Sequence, residues 1–127
     1  IDKSIRAKKN KKKSIKLFGD GTPMRQFMHA SDLAKVISII IKKNITDSFN
    51  IATAENYSVK KIANIALQAC EFKNAKITFD KTKPNGQLRK DIDVNKFKKI
   101  IPKFKPILLK DGIRDIYLKK TKGFNFV

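Results

Sequence analysis

The chain has 127 residues, 41% of them hydrophobic, and carries nine Phe, enough apolar material for one packed domain and too much for a disordered tail. Thirty basic residues against eleven acidic ones give a net charge of +19, and a single Cys excludes an internal disulfide framework and a cysteine-based zinc site. No apolar run approaches the roughly 20 residues of a membrane span, and no apolar signal segment opens the chain, so a soluble cytoplasmic protein is expected. The charge itself is diluted evidence. Of the 30 basic residues 26 are Lys and four are Arg (Arg6, Arg25, Arg89 and Arg114), whereas base reading and phosphate forks favour Arg. Lys, Ile and Asn are abundant together, as an AT-rich coding sequence would make them. A nucleic-acid-binding module therefore stands only as an alternative. The first residue is Ile1, not Met, which leads us to expect further chain upstream.

In chain order, residues 1–13 read as a basic helix end or linker, with the run from Lys8 to Lys13 a solvated face. Residues 14–18 (S-I-K-L-F) alternate as a short strand does. Gly19-Asp20-Gly21-Thr22-Pro23 is a turn cluster, and residues 25–29 alternate again as a second strand. Ser31 is placed to cap a helix whose apolar face is Leu33, Val36, Ile37, Ile40 and Ile41, with Asp32 a first-turn charge and the end near Lys43 and Asn44. Residues 48–53 form a strand candidate. Ser58 caps a helix that buries Val59, Ile62, Ala63, Ala66, Ala69 and Cys70. Residues 76–79 are a strand, 82–90 a loop around Pro84-Asn85-Gly86, 91–99 a short helix, and 108–120 a last helix. The tail 123–127 is expected to be loose. Alternating strands and helices predict an α/β fold.

No catalytic set appears. His29 and Cys70 lie too far apart in sequence to read as a nucleophile pair, and are expected to be structural. Gly19-Asp20-Gly21 lacks a third glycine and runs into Pro23, so it is a turn and not a dinucleotide fingerprint. Tyr57-Ser58-Val59-Lys60-Lys61 fits Y-x-x-x-K as a pattern but falls at a loop-to-helix start, and is not read as catalytic.

Three ordered blocks carry a stronger signal. Residues 17–36 read L-F-G-D-G-T-P-M-R-Q-F-M-H-A-S-D-L-A-K-V, residues 49–53 read F-N-I-A-T, and residues 79–97 read F-D-K-T-K-P-N-G-Q-L-R-K-D-I-D-V-N-K-F. Together they resemble the C-terminal, substrate-binding portion of extended short-chain dehydrogenases/reductases acting on nucleotide sugars, and among these the GDP-L-fucose synthase family. That family shows an aromatic residue before G-x-G-x-x-x-R-x-F, an N-V-G-T-G strand, and F-D-x-x-K-P-D-G-x-x-R-K-x-x-D. The resemblance implies that residues 14–122 bind a GDP-sugar, with Phe18 as the base platform, Arg25 on the pyrophosphate, and Asn85 and Lys90 (with Arg89 beside it) as further contacts. Phe18 stands where the family usually has Trp. Asn85 stands where it has Asp, which would alter the contact made there and could shift substrate preference. The resemblance also implies an upstream Rossmann half that binds NADP and supplies a Ser/Tyr/Lys set with an acid–base pair, and a homodimer at full length. Neither a specific nucleic acid nor a membrane is an implied partner. Another nucleotide-sugar epimerase or dehydratase of the same fold is the nearest alternative.

Overall fold

The computed structural model describes residues 1–122; the predicted loose tail lies outside the described residues. Five helices and four short strands follow in the order α1 (Asp2–Lys9), β1 (Ser14–Phe18), β2 (Met24–Arg25), α2 (Ala30–Lys42), β3 (Tyr57–Ser58), α3 (Val59–Ala69), β4 (Lys76–Asp80), α4 (Asn95–Ile100) and α5 (Leu109–Thr121). β1 and β4 pair in parallel, from Ser14 opposite Lys76 to Phe18 opposite Asp80, and β2 pairs antiparallel with β3. This is the expected α/β architecture.

Two apolar groupings hold it together. In the first, Ala7 of α1, Ile15 of β1 and Leu67 of α3 pack as one cluster, and next to it Ala66 and Ala69 of α3 meet Ile113 of α5. The alanine face of α3 carries no bulk and so allows α5 to approach. Ser58 caps α3 as predicted, its hydroxyl accepting from the Lys61 N–H (3.1 Å). In the second grouping Val36, Ala52, Val94, Phe97 and Ile101 are buried together. The Phe97 ring lies parallel to Phe49 with centroids 6.2 Å apart and tilted against Phe104 at 5.5 Å.

Several expectations are corrected. Ser31 is not the cap of α2. The helix begins two residues earlier than that cap would set it, and His29, with extended backbone, accepts the Ser31 N–H on Nδ1 (3.3 Å). The His29 Nε2 lies 3.3 Å from Asp115 Oδ2, so this imidazole also joins α2 to α5. The strand predicted over 25–29 stops at Arg25, because only Tyr57 and Ser58 lie opposite to pair with it. Residues 48–53 are no strand: among the described residues they have no backbone partner, and their polar groups are met by side chains instead. Gln26 Nε2 donates to the Thr53 carbonyl (2.8 Å), Asn50 Nδ2 to that of Asp93 (3.3 Å), and Lys96 Nζ to that of Ser48 (2.9 Å). The helix predicted over 91–99 begins only at Asn95, since Asp93 turns back to accept the Asn95 N–H (2.9 Å) and Asp91 is held by Arg89 and Asn56. Within α2 only Val36 of the predicted face is fully buried; Leu33, Ile37 and Ile41 form an exposed stripe. Cys70 is buried, but it terminates α3 and does not lie within it. Burial pushes its thiol pKa up. Leu67, absent from the predicted face, is buried.

The basic run is not uniformly solvated. Lys8 donates to the Cys70 carbonyl (3.1 Å) and to the Tyr117 hydroxyl (3.0 Å), which ties α1 to the end of α3 and to α5 and holds the ammonium pKa above its ordinary value. Lysine at a helix C-terminus meets orphan carbonyls and the negative end of the dipole.

Asp32 is the buried hinge between the two halves. Its side chain is fully buried, and Oδ2 accepts the Ile107 N–H at 2.6 Å, anchoring the segment that leads into α5. Oδ1 has no hydrogen-bond partner among the described residues and faces the Lys35 ammonium at 3.6 Å. Truncation would strand a part-buried N–H, so Asp32→Ala should lose about 1–3 kcal/mol of folding stability by urea denaturation. A loss below about 0.5 kcal/mol would show that this contact anchors nothing.

Candidate functional site

β1 ends at Phe18, a residue that is 65% exposed and whose ring carries the Lys3 ammonium 5.1 Å from its centroid. The chain then turns through Gly19 and Gly21, both left-handed at φ 76° and 83°. Gly21 has a second reason to be glycine, for a Cβ there would stand 2.5 Å from the Phe79 ring. Asp20 closes the turn: one carboxylate oxygen accepts both the Thr22 N–H (2.9 Å) and the Thr22 hydroxyl (2.7 Å).

The turn is seated on the start of α3. The Lys60 N–H donates to the Gly21 carbonyl and the Val59 N–H to that of Pro23, both at 2.9 Å. With Lys61 bonded to Ser58, these amides of the first turn are satisfied internally.

Arg25 follows on β2, half-buried, its Nη1 donating to the Met24 carbonyl (2.6 Å). The loop 82–90 runs beside it. The Met24 N–H donates to the Leu88 carbonyl (2.8 Å), Met24 bridges Arg89 in parallel fashion, and a Cβ on Gly86 would stand 3.8 Å from Arg25 Nη2. Asn85 touches the glycine turn itself: its Oδ1 accepts the Asp20 N–H at 2.7 Å. Phe18, Arg25 and Asn85 are thus gathered around one turn.

Lys90 is exposed at the end of the same loop, and its ammonium makes no hydrogen bond or ion pair with another described residue. Arg89 is occupied by an ion pair with Asp91. Sequence reasoning misses Gln26. It joins the loop to the 48–53 segment, accepting the Ile92 N–H on Oε1 (2.8 Å) while donating to Thr53. Its place next to Arg25, just past a two-residue strand, is the signal that could have found it. Tyr57 and Lys61 engage locally, the Tyr57 hydroxyl on Glu55 and the Lys61 ammonium 4.8 Å above the Tyr57 ring.

A separate cleft lies elsewhere among the described residues. It holds about 580 Å³ and is mainly apolar, with Phe27, Ile62, Leu108, Ile113 and Ile116 in its walls and His29 and Lys120 among the few polar groups. The residues gathered at the glycine turn instead form an open face. Among the described residues no cluster of His, Cys, Asp or Glu could hold a metal, and no helix is long and apolar enough to cross a membrane.

The fold is that of an extended short-chain dehydrogenase/reductase. The chain superposes with a TM-score of 0.87 on the GDP-L-fucose synthetase of Naegleria fowleri, at 22% identity, over 97% of this chain and 38% of that one. The same enzyme bound to NADP superposes at 0.82. A GDP-6-OMe-4-keto-L-xylo-heptose reductase from C. jejuni is 29% identical with a TM-score of 0.73, over 87% of this chain and 35% of that one. Residues 1–105 match the family model described as GDP-mannose 4,6 dehydratase, so the chain belongs to that family. Among its relatives is a putative GDP-L-fucose synthase 2 of Arabidopsis thaliana, 31% identical over 87% of this chain and 34% of that protein. The chain spans about a third of the curated relatives it matches.

Asp20 gives the face an acid limit. The Thr22 N–H first, then the Thr22 hydroxyl and the Asn85 side chain, hold its carboxyl at about 2, below the ordinary 3.8. A depressed carboxyl stabilises the fold fully above the unfolded pKa and loses that contribution as pH falls through the folded one. Asp20→Asn should therefore flatten the acid-unfolding curve between pH 3.8 and about 2. An unchanged slope there, followed by far-UV circular dichroism, would contradict the assignment.

Proposed function

We propose that this chain is the nucleotide-sugar-binding portion of an NADP-dependent enzyme that converts GDP-4-keto-6-deoxymannose to GDP-L-fucose by 3,5-epimerisation and 4-reduction. The observation that carries the reading is the convergence of Phe18, Arg25 and the 82–90 loop on one turn, fixed by the β1–β4 ladder. A nucleoside diphosphate offers a flat base and a doubly charged pyrophosphate. An exposed aromatic ring suits the first, and a guanidinium held by its own backbone suits the second. Lys90, free of partners among the described residues, adds a cation from the loop.

The chemical groups of such a reaction are expected in the portion of the relatives that this chain does not span. His29 is committed to capping α2 and to Asp115, and Cys70 is buried with a raised thiol pKa. NADPH, when bound, supplies the hydride for the reduction. The residues here do not fit it: Gly19 and Gly21 lead into a strand, and the α3 amides that a phosphate would seek are already bonded. The contribution of this portion is to hold the GDP end and so position the sugar. The exposed stripe of Leu33, Ile37 and Ile41 supports the reading that this face is covered in a longer enzyme, which would act as a homodimer.

A second reading is favoured by the 29% identity to a heptose reductase: reduction at C4 of another GDP-sugar, without epimerisation. Turnover in D2O separates the two. Deuterium at C3 and C5 of the product supports epimerisation, and its absence leaves the reductase.

Two outcomes are expected. The 127-residue chain alone should not oxidise NADPH in the presence of the keto sugar; measurable turnover by absorbance at the nicotinamide band would overturn the division of labour. In a chain extended to the length of its relatives, Arg25→Ala should weaken GDP binding by about ten- to a hundredfold in calorimetric titration, the usual worth of a charge-assisted hydrogen bond. An unchanged affinity would remove Arg25 from the pyrophosphate.

A further inference from the structure

The family resemblance makes Asn85 a substrate contact, altered from the family's Asp. Its surroundings point another way. The side-chain carbonyl is spent on the Asp20 N–H at 2.7 Å. The approach is so close that a Cβ on Gly19 would stand 2.1 Å from the same oxygen. The two loops therefore touch through this one side chain, at the point where β1 leaves its ladder.

The partner is unusual because it is itself acidic. The Asp20 carboxylate is bound to Thr22, and Asn85, held on the N–H of the same residue at 2.7 Å, also lowers its pKa after the two Thr22 bonds. An amide can accept the Asp20 N–H with its oxygen and present N–H donors to the Asp20 carboxylate. A carboxylate at position 85 could still accept the N–H, but it would set a second negative charge against Asp20.

We propose that Asp20 and Asn85 are a matched pair, in which the acid at position 20 dictates the amide at position 85. Asn85 is then a positioning residue: it latches the 82–90 loop to the glycine turn and thereby fixes where Phe18 and Arg25 stand. The departure from the family's Asp is compensation inside the protein and carries no change of ligand preference. This deepens the proposed nucleotide-sugar site in its account of the turn, but the latch itself involves no ligand.

Other charges surround the pair. Asp80, on β4, is paired with Lys16 of β1 at 2.9 Å and accepts the Gly19 N–H through its backbone carbonyl. Lys60 of α3 bonds the Gly21 carbonyl through its N–H, and a Gly21 Cβ would stand 3.1 Å from its side chain; the Arg25 guanidinium lies beside Gly86. The Asp80 carboxyl is also held below its ordinary value, first by the Thr82 hydroxyl and then by Lys16. These groups are common to all variants and cancel in a comparison of differences.

The test is a double-mutant cycle on the 127-residue chain: the parent, Asn85→Asp, Asp20→Asn, and both together, each unfolded in urea at pH 7 and at pH 4. At pH 7 Asn85→Asp should lower the folding equilibrium constant. Adding Asp20→Asn should recover about tenfold of that loss, a coupling of the size found for residues in contact. At pH 4 the Asn85→Asp deficit should shrink, since a carboxyl set against Asp20 takes up a proton more readily. If Asn85→Asp does not fold at pH 7, a folded double variant supports the pairing equally well. Equal stability of Asn85→Asp and the parent at pH 7, or a double variant no better than Asn85→Asp, would overturn the pairing. A failure of GDP to bind any of the four leaves the cycle readable, so the latch and the nucleotide-sugar reading fall separately.

Discussion

The parallel pairing of β1 with β4 is the constraint on which the rest of the site depends. It places Phe18 opposite Asp80, so the two strands end at the same level and the loops that follow them meet. The ladder continues one bond further, with the Gly19 N–H on the Asp80 carbonyl. Only after that do Gly19 and Asn85 come into contact. A slip of one residue would turn Ile15 and Leu17 outward and separate the loops by a residue's rise. Register here decides both the core face and the position of every candidate ligand group.

Much of this was legible in the sequence because local rules and the fold agree. The alternation of S-I-K-L-F, the Gly-Asp-Gly turn, the Ser58 cap and the alanine face of α3 all read correctly. The failures have a common origin. His29 replaced Ser31 as a cap because an imidazole nitrogen accepts as well as a hydroxyl does when the backbone entering the helix is extended. Residues 48–53 have the composition of a strand, yet a strand exists only where another lies beside it, and the described residues offer none. The α2 face is wider in sequence than the part of it that Ala52, Val94 and Phe97 cover. In each case the sequence recorded a preference and long-range contacts decided its outcome. Of the candidate site, the motif spacing marked Phe18, Arg25 and Asn85, which the fold brings around one turn, but nothing local told that the Asn85 side chain is bonded to the Asp20 N–H.

Charge illustrates the same division. A net charge of +19 reads as a uniform property, but its members do different things. Lys8 crosses 109 residues of sequence to reach the Tyr117 hydroxyl. Lys119 and Lys120 pair with Asp115 and Asp2 at 2.7 Å, on a surface where such pairs contribute little. Lys90 stands exposed at the end of the 82–90 loop. Counting cations could not separate these roles; the elements that carry them do.

The same β1–β4 pair governs the order in which the chain can fold. The capped α3 is local and can form early, whereas the ladder joins segments about sixty residues apart, with α2 and α3 between them. Closing so long a loop is entropically costly before any contact repays it, and parallel pairing has no hairpin to nucleate it. Until it closes, the edges along which the two strands pair are left open. The interval between helix formation and ladder closure is therefore when this sequence is most open to wrong partners.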